Sequence, residues 1–132
     1  MGWADEPQEK IRENRAVAHL KALDFARTVQ EVCHHAALVL SYDVQILDDL
    51  VVKMRVTLVE AGFIDVFYNA DSGKCAYALI REGNRVFGAD NAFIGWHIHP
   101  FDAPEQHVIS AEVSFAEFLR AVEERVGQNK LG

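Results

Sequence analysis

Residues 51–60 read Val51-Val52-Lys53-Met54-Arg55-Val56-Thr57-Leu58-Val59-Glu60, and their alternation decides the fold. Val52, Met54, Val56 and Leu58 fall on one side of an extended chain and Lys53, Arg55 and Thr57 on the other, the period-two pattern of a half-buried strand. Residues 63–68 (FIDVFY), 75–81 (CAYALIR) and 85–87 (RVF) continue as strands. The separators, residues 70–73 (ADSG) and 82–84 (EGN), hold the Gly, Asp and Asn that tight hairpin turns favour. The apolar stretch at residues 37–46 supplies another strand and residues 94–99 a last one. The expectation is an antiparallel meander of about five to six strands.

Helical signals flank the meander. Phe25, Val29, Val32 and Ala36 follow i, i+4, i+7, i+11 spacing with Leu20 and Leu23 beside them, which predicts an amphipathic helix over residues 16–35. At the other end Ser114 and Glu117 form a capping box, Phe115, Phe118, Leu119, Val122 and Val126 trace an apolar stripe, and Gly127 is the expected stop. Helix, consecutive strands and helix make an α+β domain, a twisted antiparallel sheet with both helices on one face. Residues 16–132 are read as that single domain and residues 1–15 as a flexible charged tail, in which Trp3 is the one side chain suited to docking.

The chain has 132 residues, 50% of them hydrophobic and 25% charged, so it can bury a core without disulfides or a structural metal. Its net charge of -7 argues against a protein that coats nucleic acid nonspecifically. Cys33 and Cys75 are far apart and form no CxxC-type pair, so they read as two buried thiols in a reducing compartment. The polar N-terminal residues lack the apolar core of a signal peptide, and no run approaches the ~18 apolar residues of a membrane span. A cytoplasmic protein with no membrane partner is expected.

Half of the six histidines lie in residues 95–107, Gly95-Trp96-His97-Ile98-His99-Pro100-Phe101-Asp102-Ala103-Pro104-Glu105-Gln106-His107. In an extended segment His97 and His99 project to one face, about 7 Å apart at Cα, while Trp96 and Ile98 face the core. Pro100 and Pro104 end the strand and turn the chain into a loop that can bring His107 back to the pair. Three imidazoles suit Zn²⁺ or another divalent transition metal, with a fourth position open for a water that becomes nucleophilic near neutral pH. The same histidines can serve without metal as acid and base across an RNA phosphodiester. Asp90 can orient an imidazole or add a ligand, or it can belong with Asn91 to turn chemistry.

Lys53, Arg55, Arg81 and Arg85 are candidates for one sheet face, which is either a solvated outer face or a substrate-binding one with Tyr68 and Tyr77 as stacking aromatics of an RNA platform. Asp65 alternates with Phe63 and Phe67 and is expected to form a cross-strand ion pair on that face. His34 and His35 suit the negative end of the first helix, and His19 has no partner in sequence.

The strand Lys53-Met54-Arg55-Val56, the triplet Asp90-Asn91-Ala92, the His97-x-His99 pair with Pro100 and the later His107, and the helix Ser114-Phe115-x-Glu117-Phe118-Leu119 occur in an order that resembles the TumE-type family. These are the toxin halves of TumE/TumA toxin–antitoxin pairs. The resemblance spans more than half the chain and departs at Phe93-Ile94-Gly95-Trp96, where the family has a more polar segment. It implies a small cytoplasmic protein with an antitoxin as partner and no settled chemistry. The run Gly95-Trp96-His97-Ile98-His99-Pro100 is also similar to the His-x-His-Pro zinc signature of JAMM metalloproteases, although Ser110 is followed three places on by Val113 where that signature has Asp.

Three functions follow as expectations. One is a toxin-like enzyme acting on RNA through His97, His99 and His107, with Asp90 as orienter. A second is a non-catalytic interaction module with structural histidines, whose open sheet edge would also allow a homodimer. The third is a JAMM-like metal-dependent hydrolase.

Overall fold

A computed structural model of the chain describes residues 6–93 and 95–131. Trp3 lies outside the described residues. The element order is α1 (Glu6–His34), β1 (Val39–Leu47), β2 (Val51–Leu58), β3 (Phe63–Asn69), β4 (Cys75–Arg81), β5 (Asn84–Asp90), β6 (His97–His99), β7 (Val108–Ile109) and α2 (Phe115–Leu131). The strands form one antiparallel sheet in the order β1-β2-β3-β4-β5-β6-β7, so every strand pairs with its neighbours in sequence. The domain is therefore α+β, as the alternation predicts. The two-residue β7 is an addition to that reading, too short to leave a periodic signal.

Both helices cover the same face. Val52, Met54, Val56, Ile64, Val66, Tyr77, Leu79, Phe87 and Ala89 are buried beneath them. The buried stripe of α1 consists of Ala18, Ala22, Ala26, Val29 and Cys33, small side chains that let the helix approach the sheet closely. Leu20, grouped with this stripe by its apolarity, is instead 64% exposed. Phe25 packs from the stripe's edge onto Tyr68, ring centroids 4.4 Å apart. The helix begins at Glu6, ten residues before its periodic pattern, and Pro7 falls in its first turn, where the missing N–H has no intrahelical role. Residues 8–17 form exposed helical turns, so the stretch read as a tail is helical from Glu6 onward. Its polarity concealed a helix with nothing to pack against.

At α2 the capping box is formed in both directions: the Glu117 N–H donates to Ser114 Oγ and the Ser114 N–H donates to Glu117 Oε1, each at 3.1 Å. The helix runs through Gly127 to Leu131, because an internal glycine weakens a helix without ending it. The bonds from Ser114, backbone first and hydroxyl second, hold the Glu117 carboxyl below its ordinary value. A carboxyl depressed in the folded state stabilises at pH above its unfolded value, and that stabilisation is lost as pH falls through the folded one. Ser114→Ala is expected to cost about 1 kcal/mol in urea unfolding at neutral pH. The advantage of wild type over Glu117→Gln should disappear in acid; an advantage unchanged at low pH would contradict this role for Glu117.

Cys33 and Cys75 are both free and buried, and burial raises each thiol to about 11, the inert state expected from their spacing. No helix among the described residues is long and apolar enough to cross a membrane.

Candidate metal centre

Strand register carries the histidines onto the face away from the helices. Two rows of register partners cross the sheet there. One runs Gln45, Lys53, Phe67, Ala76, Asp90, His97 and Ile109; the next runs Asp43, Arg55, Asp65, Ala78, Gly88 and His99. Asp90 is thus the direct neighbour of His97, and Gly88 that of His99. Trp96 and Ile98 point the opposite way, Trp96 against Tyr77 at 6.1 Å between ring centroids. A Cβ on Gly88 would lie 3.3 Å from Arg85 Cδ and from the Tyr77 carbonyl oxygen and 3.4 Å from the His99 ring, so the glycine leaves room chiefly for the Arg85 side chain.

The outer face is solvent-exposed over most of the sheet, yet His97 is only 6% and His99 3% exposed. They are covered by the loop that Pro100 and Pro104 turn back over the strand, and this loop returns His107 to the pair. Arg85 pins it, its Nη2 donating to the Pro104 carbonyl at 2.9 Å. Phe101, at the start of the loop, stacks flat on Phe87 at 4.1 Å, and Asp102 is paired with Arg125 of α2 at 2.7 Å.

The three rings form a nearly equilateral triangle, with centroids 5.0 Å (His97–His99), 4.9 Å (His97–His107) and 4.6 Å (His99–His107) apart. One nitrogen from each lies within 4.8 Å of the others. Three imidazoles bound tetrahedrally at ~2.0–2.1 Å from zinc have ring centres about 5 Å apart, so the triangle has the right size. The nitrogens themselves would close to about 3.3 Å on binding, which requires all three rings to draw together.

The remaining contacts assign nitrogens to roles. His97 Nδ1 lies 3.1 Å from the Gly95 carbonyl oxygen and His99 Nδ1 3.1 Å from that of Gln106. A carbonyl can only accept, so each Nδ1–H donates outward and each Nε2 faces inward. Inward stands Asp90, whose Oδ1 is 3.1 Å from His97 Nε2 and whose Oδ2 is 2.9 Å from His99 Nε2. An imidazole lone pair beside a carboxylate oxygen is repulsive unless a positive centre lies between them. Protons can serve, one for each ring. Arg85 Nη2, 3.5 Å from His99 Nδ1, already brings one positive charge to this ring.

Burial would raise the Asp90 carboxyl, but the His99 hydrogen bond, the Ala92 N–H donating to Oδ1 at 3.0 Å, and positive charge at His97 and His99 together hold it below its ordinary value. Asp90 is therefore an ionised acceptor at neutral pH. It approaches His97 and His99 and makes no such contact with His107, so the set that converges on one point is the three histidines.

Of the candidate substrate-binding residues, Lys53 and Arg55 share the site's face, and Arg85 reaches the site itself. Arg55 is held by Asp65 across the strands, at 3.0 Å from Nε to Oδ1, the ion pair expected from alternation. Arg81 is not brought to them: it follows Leu79 in the alternation of β4 and belongs to the helix side, at the β4–β5 hairpin. Tyr68 and Tyr77 are likewise absent from this face, packed on Phe25 and Phe118 respectively. The aromatics that occupy it are Phe63 and Phe67. Counting the alternation from Lys53 through the register identifies them; residue type alone favours the tyrosines. His34 Nε2 is 2.7 Å from the Tyr42 hydroxyl and His19 Nδ1 3.0 Å from the Asp49 carbonyl, each a local hydrogen bond away from the cluster. No protein-family model, curated protein or solved structure matches the chain.

Proposed function

We propose that this protein is a metal-dependent hydrolase whose divalent transition ion, zinc by ligand type, is held by His97, His99 and His107. The observation that carries this reading is the convergence of three imidazoles in a triangle of zinc dimensions, two of them with Nδ1 tied to backbone carbonyls and Nε2 turned inward. That outer hydrogen bonding fixes ring orientation and tautomer, as it does around zinc-bound histidines generally. Three protein ligands are the number that leaves a coordination position open for water or substrate, and a bound ion there would lower the pKa of its water towards neutrality.

The protein's own groups have distinct tasks in this reading. Asp90, ionised and beside two of the rings, would be the group placed to take a proton from a bound water. Arg85 holds the His107 loop closed through the Pro104 carbonyl and contributes positive charge beside the centre. His107, exposed where His97 and His99 are buried, marks the side from which metal and substrate enter.

Metal analysis of untagged protein, loaded with zinc and then dialysed, tests the proposal. About one zinc per chain is expected, falling to background in His97→Ala/His99→Ala, while His19→Ala retains it. A wild-type protein that holds no zinc, nickel, manganese or iron after this treatment overturns the metal reading and leaves metal-free acid–base chemistry by the same histidines.

A further inference from the structure

We infer that the substrate of this centre is a single-stranded nucleic acid, laid across the strands along a trough that leads from Lys53 towards the histidines; the inference rests on the hydrolase reading above. The trough occupies the outer face of β1 to β4, with a cavity volume of about 770 Å³, and its floor ends at Ala76 and Ala78. The register partners of those two alanines are Asp90 and Gly88, so the trough ends one strand short of the histidine strand. Ala76 and Ala78 keep the floor low across β4, and beyond Ala78 the Arg85 side chain lies against Gly88. From Lys53 to His97 the row crosses four strand spacings, about 19 Å, room for a short run of nucleotides.

The chemistry along the row is that of a single strand's binding track. Phe67 lies next to Lys53 in register, and Lys74 Nζ is 5.9 Å from its ring centroid. Neither Lys53 nor Lys74 forms an ion pair among the described residues, and both are exposed. The pattern is a π-face for a base flanked by cations for the phosphates on either side. Arg55, by contrast, is neutralised by Asp65 and spread over the Phe63 ring at 4.1 Å, so it builds the wall of the trough. In a chain of net charge -7, Lys53, Lys74 and Arg55 against Asp43 and Asp65 leave this face one positive charge in excess beside an aromatic, which favours an anionic, ring-bearing ligand. A duplex is excluded by shape, because its bases are stacked on each other and cannot reach Phe67.

Binding can be separated from metal chemistry by experiment. Fluorescent single-stranded RNA and DNA of about ten nucleotides are titrated into the full chain, in wild type and in His97→Ala/His99→Ala, at two salt concentrations. At least one of the two oligonucleotides is expected to bind, more weakly at high salt. Phe67→Ala and Lys53→Glu should each weaken binding by about tenfold or more, with zinc content unchanged. Lys74→Glu serves as the second charge variant should Lys53→Glu fail to fold, and is expected to show a comparable loss. Binding retained in the histidine double variant locates the track outside the metal ligands. Binding of neither oligonucleotide, undiminished affinity in Phe67→Ala and the lysine variants, or stronger binding of a matched duplex would each overturn the inference. A wild type that binds RNA or DNA through Phe67 yet holds no metal would sustain this inference and defeat the hydrolase reading.

Discussion

Chelation of the zinc-loaded protein should lower its thermal midpoint by on the order of 10 °C, and His97→Ala/His99→Ala should abolish the response. A ligand that binds only the folded state stabilises it by about 4 kcal/mol at a thousandfold excess over Kd, and at this chain length each kcal/mol moves the midpoint by roughly 3 °C or more. The structural reason for expecting a large effect is the burial of His97 and His99, with inward Nε2 atoms facing the Asp90 oxygens at 3.1 and 2.9 Å. Removing the ion leaves two buried imidazoles without that positive centre, beside the Arg85 guanidinium. Differential scanning fluorimetry with added zinc, and then with excess chelator, measures the shift. A wild-type midpoint unchanged by both, in protein verified to contain zinc beforehand, would show that the cluster is no folded-state metal site.

Phe118→Ala is expected to cost about 3–5 kcal/mol, a large share of the stability of a domain this size. Phe118 is 1% exposed and lies 4.8 Å from Phe87 and 5.3 Å from Tyr77 between ring centroids. Phe87 in turn stacks on Phe101, at the root of the loop that carries His107. One aromatic column thus joins α2, the β5 strand and the loop over the candidate metal centre. Truncating its middle opens a cavity that the surrounding sheet cannot collapse to fill. Urea unfolding should show a lower midpoint with an unchanged slope, and the variant should bind zinc more weakly. Leu20→Ala, on the exposed side of α1, should stay within about 0.5 kcal/mol of wild type. A loss below about 1 kcal/mol for Phe118→Ala would mean that the helix is held by other contacts.

Much of the architecture was legible because it depends on neighbours in sequence. The alternation of Val52, Met54, Val56 and Leu58 sets a strand regardless of what it packs against, and the Ser114/Glu117 box closes on itself within one helical turn. The His97-x-His99 spacing likewise puts two imidazoles on one side of any extended segment. Where the reading failed, burial was the missing quantity. Residues 8–17 are too polar to show a stripe and are helical all the same, while Leu20 is apolar and faces water. Gly127 looked like a terminus, but α2 continues past it for another turn.

The candidate centre divides in the same way. Sequence alone determined that His97, His99 and His107 were the residues to follow, that the prolines would turn the chain between them, and that Asp65 would pair across the strands. Asp90 also proves to be a turn residue, accepting from the Ala92 N–H; only the β5–β6 register set the same carboxylate between two rings. The same register put Phe67 and Lys53 in line with the histidines and turned Tyr68, Tyr77 and Arg81 to the other side. Periodicity is a local property of the backbone, so the chain states which residues share a face within one strand. Which faces of different strands coincide, and which loop covers them, depends on pairing and packing between distant segments, and this the tertiary structure alone decided.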